Sequence, residues 1–326
     1  MKKLLSLLLL LALTLTAFVS CKPRDDGAKM DDGAKINVGV LAGPTGMGMA
    51  KLMADTAEDS ALYDFTVYSN PQTAIADLTS KKLDMLCLPT NTAASLSAKA
   101  DISVLAVNCL GSLYLLAKKD TKVDSFADLE GKTLTTSVAG STTEPIVKFL
   151  LEKNHVNATV DVALDHDALV ASVVKGEVDY AVLPEPKVTA ALMQAKNYEV
   201  KLNLSTEWDK VSGESLAMGC IVARNEFIQA HEGAVNRFLD DYKASVDYIA
   251  DASHSDESAQ KIVDAGVLPK LPIAKAALKN LKGSIVFREG KEMKDTLVSF
   301  YGVLLTSAPA SIGGALPSDS FYYARR

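Results

Sequence analysis

Apolar runs that end in a turn of small residues and lead into an amphipathic segment recur along this chain. The first run, Ile36–Leu41, precedes the glycine turn 42–46 and an apolar helical pattern. Residues 83–91 form a nearly continuous apolar run that closes with Leu-Pro and leads into a helix from Thr92. Runs of this kind are typical of strands buried on both faces of a sheet. The pattern therefore predicts an α/β fold with mostly parallel sheets covered by helices.

The same plan occurs again in the second part of the chain. Residues 131–138 are predicted to form a strand that ends in the hydroxyl-rich turn 137–143, and a helix is predicted to follow over 144–153. Residues 178–186 repeat the order of 83–91, with an Asp, an apolar strand, Leu-Pro and a polar loop before a helix. Pro near the first helical position, with Ser or Thr just before it, is a normal helix entry. Two lobes built on one plan follow from this repetition.

Two further apolar segments, 112–119 and 216–223, are predicted to be the strands that cross between the lobes. The mature chain is longer than one small core requires, which agrees with two lobes. The predicted division is lobe 1 at residues 36–114 plus 217–326 and lobe 2 at residues 115–216.

The first 35 residues do not follow this plan. Two lysines precede an apolar run over 4–19, and Ser20-Cys21 follows it. A run this short is typical of an export signal and not of a membrane span. Because a Cys directly after the run is where bacterial lipoproteins are cleaved and diacylated, we predict a signal peptide over 1–20 and a lipid anchor, including palmitate, on Cys21. The alternative is a plain secretory signal with Cys21 as an incidental thiol.

The segment 21–35 contains a tandem repeat. The sequence Asp-Asp-Gly-Ala-Lys stands at 25–29 and again at 31–35. It has balanced charges and no apolar periodicity, so it offers no surface for a core. We predict a flexible tether between the anchor and the first lobe.

Composition excludes several classes of function. With 48% hydrophobic residues, 23% charged residues and a net charge of −6, the chain is typical of a soluble globular protein and lacks the basic balance that nucleic acid binding requires. Cys87, Cys109 and Cys220 are an odd number of thiols inside apolar runs, which favours buried side chains over disulfides. The four histidines share no ligand spacing, so neither a metal site nor a cofactor is expected.

The turn after the first strand is the first candidate site. A phosphate-binding loop needs Lys and then Ser or Thr where Met49-Ala50 stand, and the dinucleotide motif needs a third Gly where Lys51 stands. What remains is a strand end and a helix start whose N–H groups can face a ligand. The alternative is a purely structural turn. The candidate residues are Gly43, Pro44, Thr45, Gly46 and Met47.

Polar residues at other strand ends are the remaining candidates. Glu185 stands between two prolines, where it could accept hydrogen bonds from a ligand's N–H groups or act as a helix N-terminal acid. Thr90 and Asn91 would face it from the first lobe. Trp208 is either a stacking platform or a packed side chain. The second turn adds Ser137, Gly140, Ser141 and Thr142, of which one is expected to cap a helix. We find no catalytic constellation and predict that the chain is not an enzyme.

Several segments together resemble a known family. They are the turn at 40–48, the two Leu-Pro turns at 88–91 and 183–186, the strand and helix entry at 218–227, and the closing segment 311–323. They are similar to solute-binding lipoproteins of ABC importers, within the group that binds nitrate, sulfonate, taurine and thiamine pyrimidines. The resemblance covers essentially the whole mature chain.

The resemblance implies a two-lobed periplasmic-binding-protein fold of the type II kind, with two crossing hinge strands and a ligand that closes the cleft. It places the ligand contacts at 43–47, Thr90 and Asn91 in one lobe and at 137–143 and Glu185 in the other. It also implies a monomer in the bacterial cell envelope, anchored by lipid, whose partners are the ABC permease and ATPase subunits.

The ligand remains open at this point. None of these turns contains Arg or Lys, so a sulfonate, taurine or nitrate would depend on N–H groups and hydroxyls alone. Together with Glu185, this favours a neutral or amine-bearing heterocycle such as an aminopyrimidine or thiamine precursor. Two other classes stay open: a pyrimidine-synthesis-type enzyme on the same fold, and a surface adhesin, which a cleft packed shut with apolar side chains would favour.

Overall fold

The computed structural model describes residues 30–56, 60–137 and 142–325. Cys21, Gly140 and Ser141 lie outside the described residues, as does the predicted signal peptide. The strands are β1 Ile36–Leu41, β2 Tyr63–Tyr68, β3 Met85–Pro89, β4 Ile102–Leu110, β5 Leu113–Lys118, β6 Thr133–Ser137, β7 Thr159–Leu164, β8 Tyr180–Pro184, β9 Tyr198–Asn203, β10 Ala217–Arg224 and β11 Ile285–Glu289.

The helices alternate with these strands and are followed by a helical C-terminal part. They are α1 Pro44–Met47, α2 Ala50–Asp55, α3 Pro71–Thr79, α4 Thr90–Ser97, α5 Thr143–Lys153, α6 His166–Lys175, α7 Lys187–Gln194, α8 Leu204–Ser212, α9 Asn225–Ala230, α10 Glu232–Ala250, α11 Ser255–Asp264, α12 Leu271–Asn280 and α13 Gly290–Ser307. No helix in the described part of the chain is long and apolar enough to cross a membrane.

The first sheet has the strand order β11-β4-β10-β3-β1-β2. Strands β2, β1 and β3 are parallel neighbours. Along β3, Met85 and Cys87 belong to one apolar cluster, whereas Leu86 and Leu88 belong to another. This alternation is the two-residue period of a strand with helices on both faces, and it explains why the run 83–91 is almost continuously apolar.

The second sheet has the order β7-β6-β8-β5-β9, so the chain forms two helix-flanked sheets and the predicted α/β fold class is confirmed. The pairing is more mixed than the sequence indicated. Strands β10 and β5 run antiparallel to both their neighbours. An antiparallel strand inside a covered sheet is buried on both faces like a parallel one, so its apolar run carries no sign of its direction.

Two connections join the sheets. The first runs from β4 through Gly111 and Ser112 into β5, and the second runs from β9 through helix α8 into β10. Helix α8 carries Trp208, which is 1% exposed and packs between Phe149 at 4.8 Å and Phe300 at 5.5 Å between ring centroids. Trp208 is therefore a core residue, and the stacking-platform alternative does not apply in this conformation.

The C-terminal helices cover the first sheet. The apolar spacing over 227–249 is typical of one long helix, but the backbone breaks at His231, with φ −131° and ψ 44°, and α9 and α10 result. The sequence has no Pro at this break, and the nearby Gly233 lies inside α10. The predicted apolar stripe of α10 is buried as expected, and it consists of Val235, Phe238, Leu239, Tyr242, Val246 and Ile249.

Residues 30–35 differ from the prediction of a free tether. They lie against the first turns of α10, where Asp31 pairs with Arg237. The described cysteines Cys87, Cys109 and Cys220 are buried free thiols, as their apolar surroundings predicted.

Candidate functional site

The glycine turn after β1 is held closely to the end of its own strand. Gly43 adopts φ +113°, a conformation that L side chains rarely adopt. A Cβ at Gly46 would lie 2.2 Å from the carbonyl oxygen of Leu41. The N–H groups of Ala42, Gly43 and Gly46 donate to the carbonyls of Tyr68, Val267 and Gly43. These three N–H groups therefore already have backbone partners, and α1 is a single turn.

Beneath this turn lies Asn108, a residue that sequence reasoning missed. Its Nδ2 donates to the carbonyl oxygen of Thr45 over 3.0 Å, and the residue is 1% exposed. Strand β10 approaches so closely that a Cβ at Gly219 would lie 2.4 Å from Thr45 Cγ2 and 2.6 Å from Asn108 Oδ1. Asn108 thus sets the position of the turn relative to the sheet. The available signal was an Asn inside a mostly apolar strand β4, whose other polar residue is Ser103.

Met47 and Met49 continue from this turn into the core. Both are fully buried in the apolar cluster beneath α10. Pro44 occupies the first helical position of α1, where a missing N–H costs nothing. The turn therefore serves packing through Gly46, Met47 and Met49, and its ligand role stays a prediction.

Thr90 and Asn91 lie in the first turn of α4 and not in a loop, because the helix begins two residues earlier than predicted. Thr90 Oγ1 donates to the carbonyl of Ala217 over 2.6 Å, and the carbonyl of Thr90 accepts from Tyr301 Oη over 2.8 Å. Thr90 is fully buried, so it links α4 to β10 and α13. Asn91 is the one of the pair that lines a cavity.

That cavity is a groove of about 620 Å³ between the two sheets and their helices. The first sheet contributes α3 and α4, the second contributes the start of α5, and residues 307–311 close one side. The lining is rich in polar side chains, among them Gln72, Asn91, Thr92, Lys99, Glu144 and Lys148. Lys148 Nζ pairs with Glu144 over 2.7 Å on one face of α5.

The second turn reaches this groove through its C-terminal end. Thr142 and Thr143 are buried where α5 begins, and Glu144 and Pro145 line the groove. Ser137 ends β6, and its side chain lies outside what the structure describes. The structure thus brings Asn91 together with the helix start that follows the predicted second turn.

Glu185 lies on another side of the junction between the sheets and is 1% exposed. Its peptide bond to Pro186 is cis, and its N–H donates to the carbonyl of Ser112 over 2.8 Å. The carboxylate accepts from Thr189 N at 3.2 Å and from Thr189 Oγ1 at 3.1 Å. Burial raises the pKa of Glu185, while hydrogen bonds from Asn280 and Thr189 act in the opposite direction.

Asn280 is the second residue that sequence reasoning missed. It is the last residue of α12, and its Nδ2 donates to Glu185 Oε1 over 2.7 Å and to Thr189 Oγ1 over 3.2 Å. Its carbonyl accepts from Tyr114 Oη over 3.0 Å. Asn280 therefore joins the helices of the first sheet to β5 and α7 of the second. The sequence offered no signal, because Asn at a helix end is common.

The groove contains groups that can bind a ligand through hydrogen bonds and charges. It offers amides, hydroxyls, the ammonium of Lys99 and the ion pair of Lys148 with Glu144. Glu185, outside this lining, already has three protein donors. Among the described residues no group of three His, Cys, Asp or Glu side chains is placed to hold a metal ion.

A comparison with protein families finds one match. The model of the family described as "NMT1/THI5 like" matches residues 64–255, which is more than half of the chain. No curated protein matches the sequence.

Solved structures with the same fold cover most of the chain. An ABC transporter protein from Parabacteroides distasonis has a TM-score of 0.76 and 21% identity over 90% of this chain and 100% of its own. The periplasmic aliphatic sulphonate binding protein SsuA from Escherichia coli has a TM-score of 0.70 and 16% identity, covering 90% of this chain and 93% of its own. The periplasmic nitrate-binding protein NrtA from Synechocystis PCC 6803 has a TM-score of 0.64 and 12% identity, covering 87% and 85%.

Proposed function

The chain belongs to the NMT1/THI5-like family, and from this we propose that it is the solute-binding component of an ABC importer. It captures a small molecule between two lobes and delivers it to a permease. The observation that carries the proposal is the polar groove of about 620 Å³ between the two helix-flanked sheets. Small-molecule sites have volumes of about 300–1,000 Å³ and lie preferentially where two domains meet.

Hinge closure supplies the mechanism. We place lobe 1 at residues 36–114 plus 217–326 and lobe 2 at 115–216, joined by the two connections between the sheets. A ligand that touches both Asn91 of α4 and the start of α5 stabilises the closed arrangement by its differential contacts. The closed surface is then what the permease recognises. The proposed contacts remain those at 43–47, Thr90, Asn91, Glu185 and, in the second turn, Ser137, Gly140, Ser141 and Thr142.

We favour a neutral or amine-bearing heterocycle, such as an aminopyrimidine or thiamine precursor, as the ligand. The amide of Asn91 can pair with ring and amino groups of such a molecule, and so can the carboxylate of Glu144, because a carboxylate accepts further hydrogen bonds beside the one from Lys148. Lys148 is already paired with Glu144. The alternative is a small anion such as a sulfonate, taurine or nitrate, which Lys99 in the groove supports.

A thermal-shift series separates these ligands. The purified mature chain is heated with aminopyrimidines, thiamine, sulfonates, taurine and nitrate in turn. A ligand at 100 times its Kd stabilises the folded state by about 2.7 kcal/mol. A shift with sulfonates and none with heterocycles would overturn the favoured ligand class, and no shift with any small molecule would count against solute binding.

Asn91→Ala tests the groove itself. We expect it to weaken binding of whichever compound shifts the melting temperature, because it removes a donor and an acceptor from the lining. The matched control is Asn197→Ala, an exposed Asn outside the groove. Equal affinities of the two variants would remove Asn91 from the site.

Two other classes make different predictions. An adhesin would be favoured by a cleft packed shut with apolar side chains, whereas this groove is open and mixes amides, hydroxyls and charges with apolar side chains such as Ile75 and Leu96. A pyrimidine-synthesis-type enzyme would convert its bound compound, so incubation followed by mass spectrometry distinguishes it from a binding protein that returns the ligand unchanged.

We also propose an extracytoplasmic location. Export over residues 1–20 and a lipid on Cys21 would hold a monomer at the membrane beside its permease and ATPase partners. Metabolic labelling with a palmitate analogue, compared with Cys21→Ser, tests the anchor.

A further inference from the structure

The N-terminal segment 30–35 is bound through charges to the start of α10. Arg237 Nη1 donates to Asp31 Oδ1 over 2.6 Å, and Arg237 Nη2 donates to the carbonyl of Ala34 over 2.9 Å. His231 Nδ1 lies 2.6 Å from Asp32 Oδ2. The guanidinium is 15% exposed and also stacks on Tyr63, at 5.4 Å from the ring centroid. Arg237 Nε also donates to Tyr63 Oη over 3.2 Å, so Tyr63 contacts the guanidinium independently of the segment.

Glycine at position 233 lets the segment approach the helix. A Cβ there would lie 2.4 Å from the carbonyl oxygen of Met30 and 2.5 Å from Asp31 Cα. No side chain fits in that space, so the contact is between two backbones. We call the surface formed by His231, Gly233 and Arg237 the tether site.

The side chains that contact the tether site, those of Asp31 and Asp32, belong to a repeated sequence. The bound copy at 31–35 is Asp-Asp-Gly-Ala-Lys, and the same five residues stand at 25–29. The residue between the copies, Met30, is 91% exposed, and only its carbonyl lies near the site. The residue in the same place before the first copy, Arg24, has the same backbone carbonyl to offer.

We propose that the tether site binds either copy of the repeat, so that the N-terminal segment has two registers six residues apart. When residues 25–29 bind, residues 30–35 form a loop whose ends meet at the site and at Ile36. Closing a loop of six residues favours the copy at 31–35 by a factor on the order of ten, since the contacts are otherwise equal.

Exchange between the two registers changes the distance that the N-terminus can extend from the fold. Six extended residues span about 20 Å. If Cys21 carries the lipid anchor proposed above, the residues between the anchor and the bound copy decrease from 22–30 to 22–24. The fold would then have a near and a far position relative to the membrane.

Two spin labels on the full mature chain test the two registers. One label replaces Arg24 and the other replaces Lys243, whose side chain is 52% exposed on α10, with Cys21→Ser as background. Cys87 and Cys109 stay unlabelled because they are buried and burial raises the pKa of each thiol to about 12. Cys220 is buried as well. The readout is the distance distribution from double electron–electron resonance.

The variants remove the acids of one copy at a time. Asp31→Ala with Asp32→Ala is expected to move most of the population to a shorter distance, because residues 25–29 take the site. The matched pair Asp25→Ala with Asp26→Ala is expected to keep the long distance. Removing all four acids, or changing Arg237→Ala, is expected to give one broad distribution.

Two results would overturn the proposal. One is a broad distribution in the Asp31→Ala, Asp32→Ala variant that matches the variant lacking all four acids. The other is a short distance that disappears when labelled protein is diluted with unlabelled protein, because the site would then bind the repeat of a second molecule.

Discussion

Asn280→Ala removes the one side-chain amide that connects α12 to the carboxylate of Glu185. The bond it deletes is 2.7 Å long, and a weaker one to Thr189 Oγ1 is lost with it. The bond from Tyr114 Oη survives, since it ends on the backbone carbonyl of residue 280. Alanine is the best helix former, so the last turn of α12 should not suffer.

The size of the effect follows from the burial of Glu185. A hydrogen bond to a charged group contributes about 1.5–3 kcal/mol, and water cannot replace the lost donor at a carboxylate that is 1% exposed. Thr189 still donates twice to the same carboxylate. We therefore expect a loss of about 2 kcal/mol in the free energy of unfolding.

Urea unfolding, followed by the fluorescence of the single Trp208, measures this loss. Asn280→Ala, Glu185→Gln and the double variant form a cycle, and Asn197→Ala is the control. Because the two residues are in contact, we expect a coupling energy of about 1 kcal/mol or more. Small-angle scattering should also show a larger radius of gyration for Asn280→Ala. The link between the lobes through Asn280 and Glu185 would be refuted if the losses of the two single variants add up to that of the double variant within about 0.5 kcal/mol and the radius of gyration is unchanged.

Three other predictions concern the same junction and the turn beside it. The pKa of Glu185 is raised above its ordinary value of 4.5, so the folded state keeps a proton that the unfolded state has lost. Stability should therefore fall as pH rises from about 4.5 through the folded pKa, and Glu185→Gln should flatten this slope in urea titrations at several pH values. Trp208→Ala should cost about 3–5 kcal/mol by circular dichroism, with a smaller loss for Trp208→Phe. Gly219→Ala should cost about 1–3 kcal/mol because its Cβ meets Thr45 Cγ2, and adding Thr45→Ser should restore part of the loss.

For each of these three predictions, one result would contradict it. An identical pH slope in wild type and Glu185→Gln would show that Glu185 keeps its ordinary pKa. Equal losses for Trp208→Ala and Trp208→Phe would show that the aromatic contacts do not matter. Gly219→Ala at wild-type stability would mean that β10 and the turn are not in close contact.

Most of the fold could be predicted because its signals are local. The bounds of β1 agree with the sequence pattern, since its apolar run has a clear turn at its end, and a helix follows residues 178–186 as predicted. The break at His231 was missed because no Pro stands there and the apolar spacing continues across it, while the nearby Gly233 lies inside α10. The direction of β10 and β5 was missed because burial on both faces leaves the same pattern for either direction.

In the candidate site, too, residues with a local sequence signal could be predicted, and residues whose role depends on a distant partner could not. Thr90, Asn91 and Glu185 were predicted as candidates because they stand where apolar runs end, and of the three Asn91 lines the groove. Asn108 and Asn280 were not found, because each acquires its role from a partner far along the chain. Asn108 binds a residue 63 positions away, and Asn280 binds one 95 positions away. An Asn in an apolar strand or at a helix end does not reveal which distant residue will be its hydrogen-bond partner.

Two of the contacts between the sheets differ in strength, and this difference predicts the order in which they would break on opening. Breaking the packing of Trp208 against Phe149 and Phe300 costs about 3–5 kcal/mol, as for removal of a buried aromatic side chain. Breaking the bond between Asn280 and Glu185 costs about 1.5–3 kcal/mol. The polar contact therefore opens first while the aromatic contact holds. Trp208 lies on the connection between β9 and β10. If the lobes open as proposed, we therefore expect them to pivot about the aromatic cluster and to part on the side of Asn280.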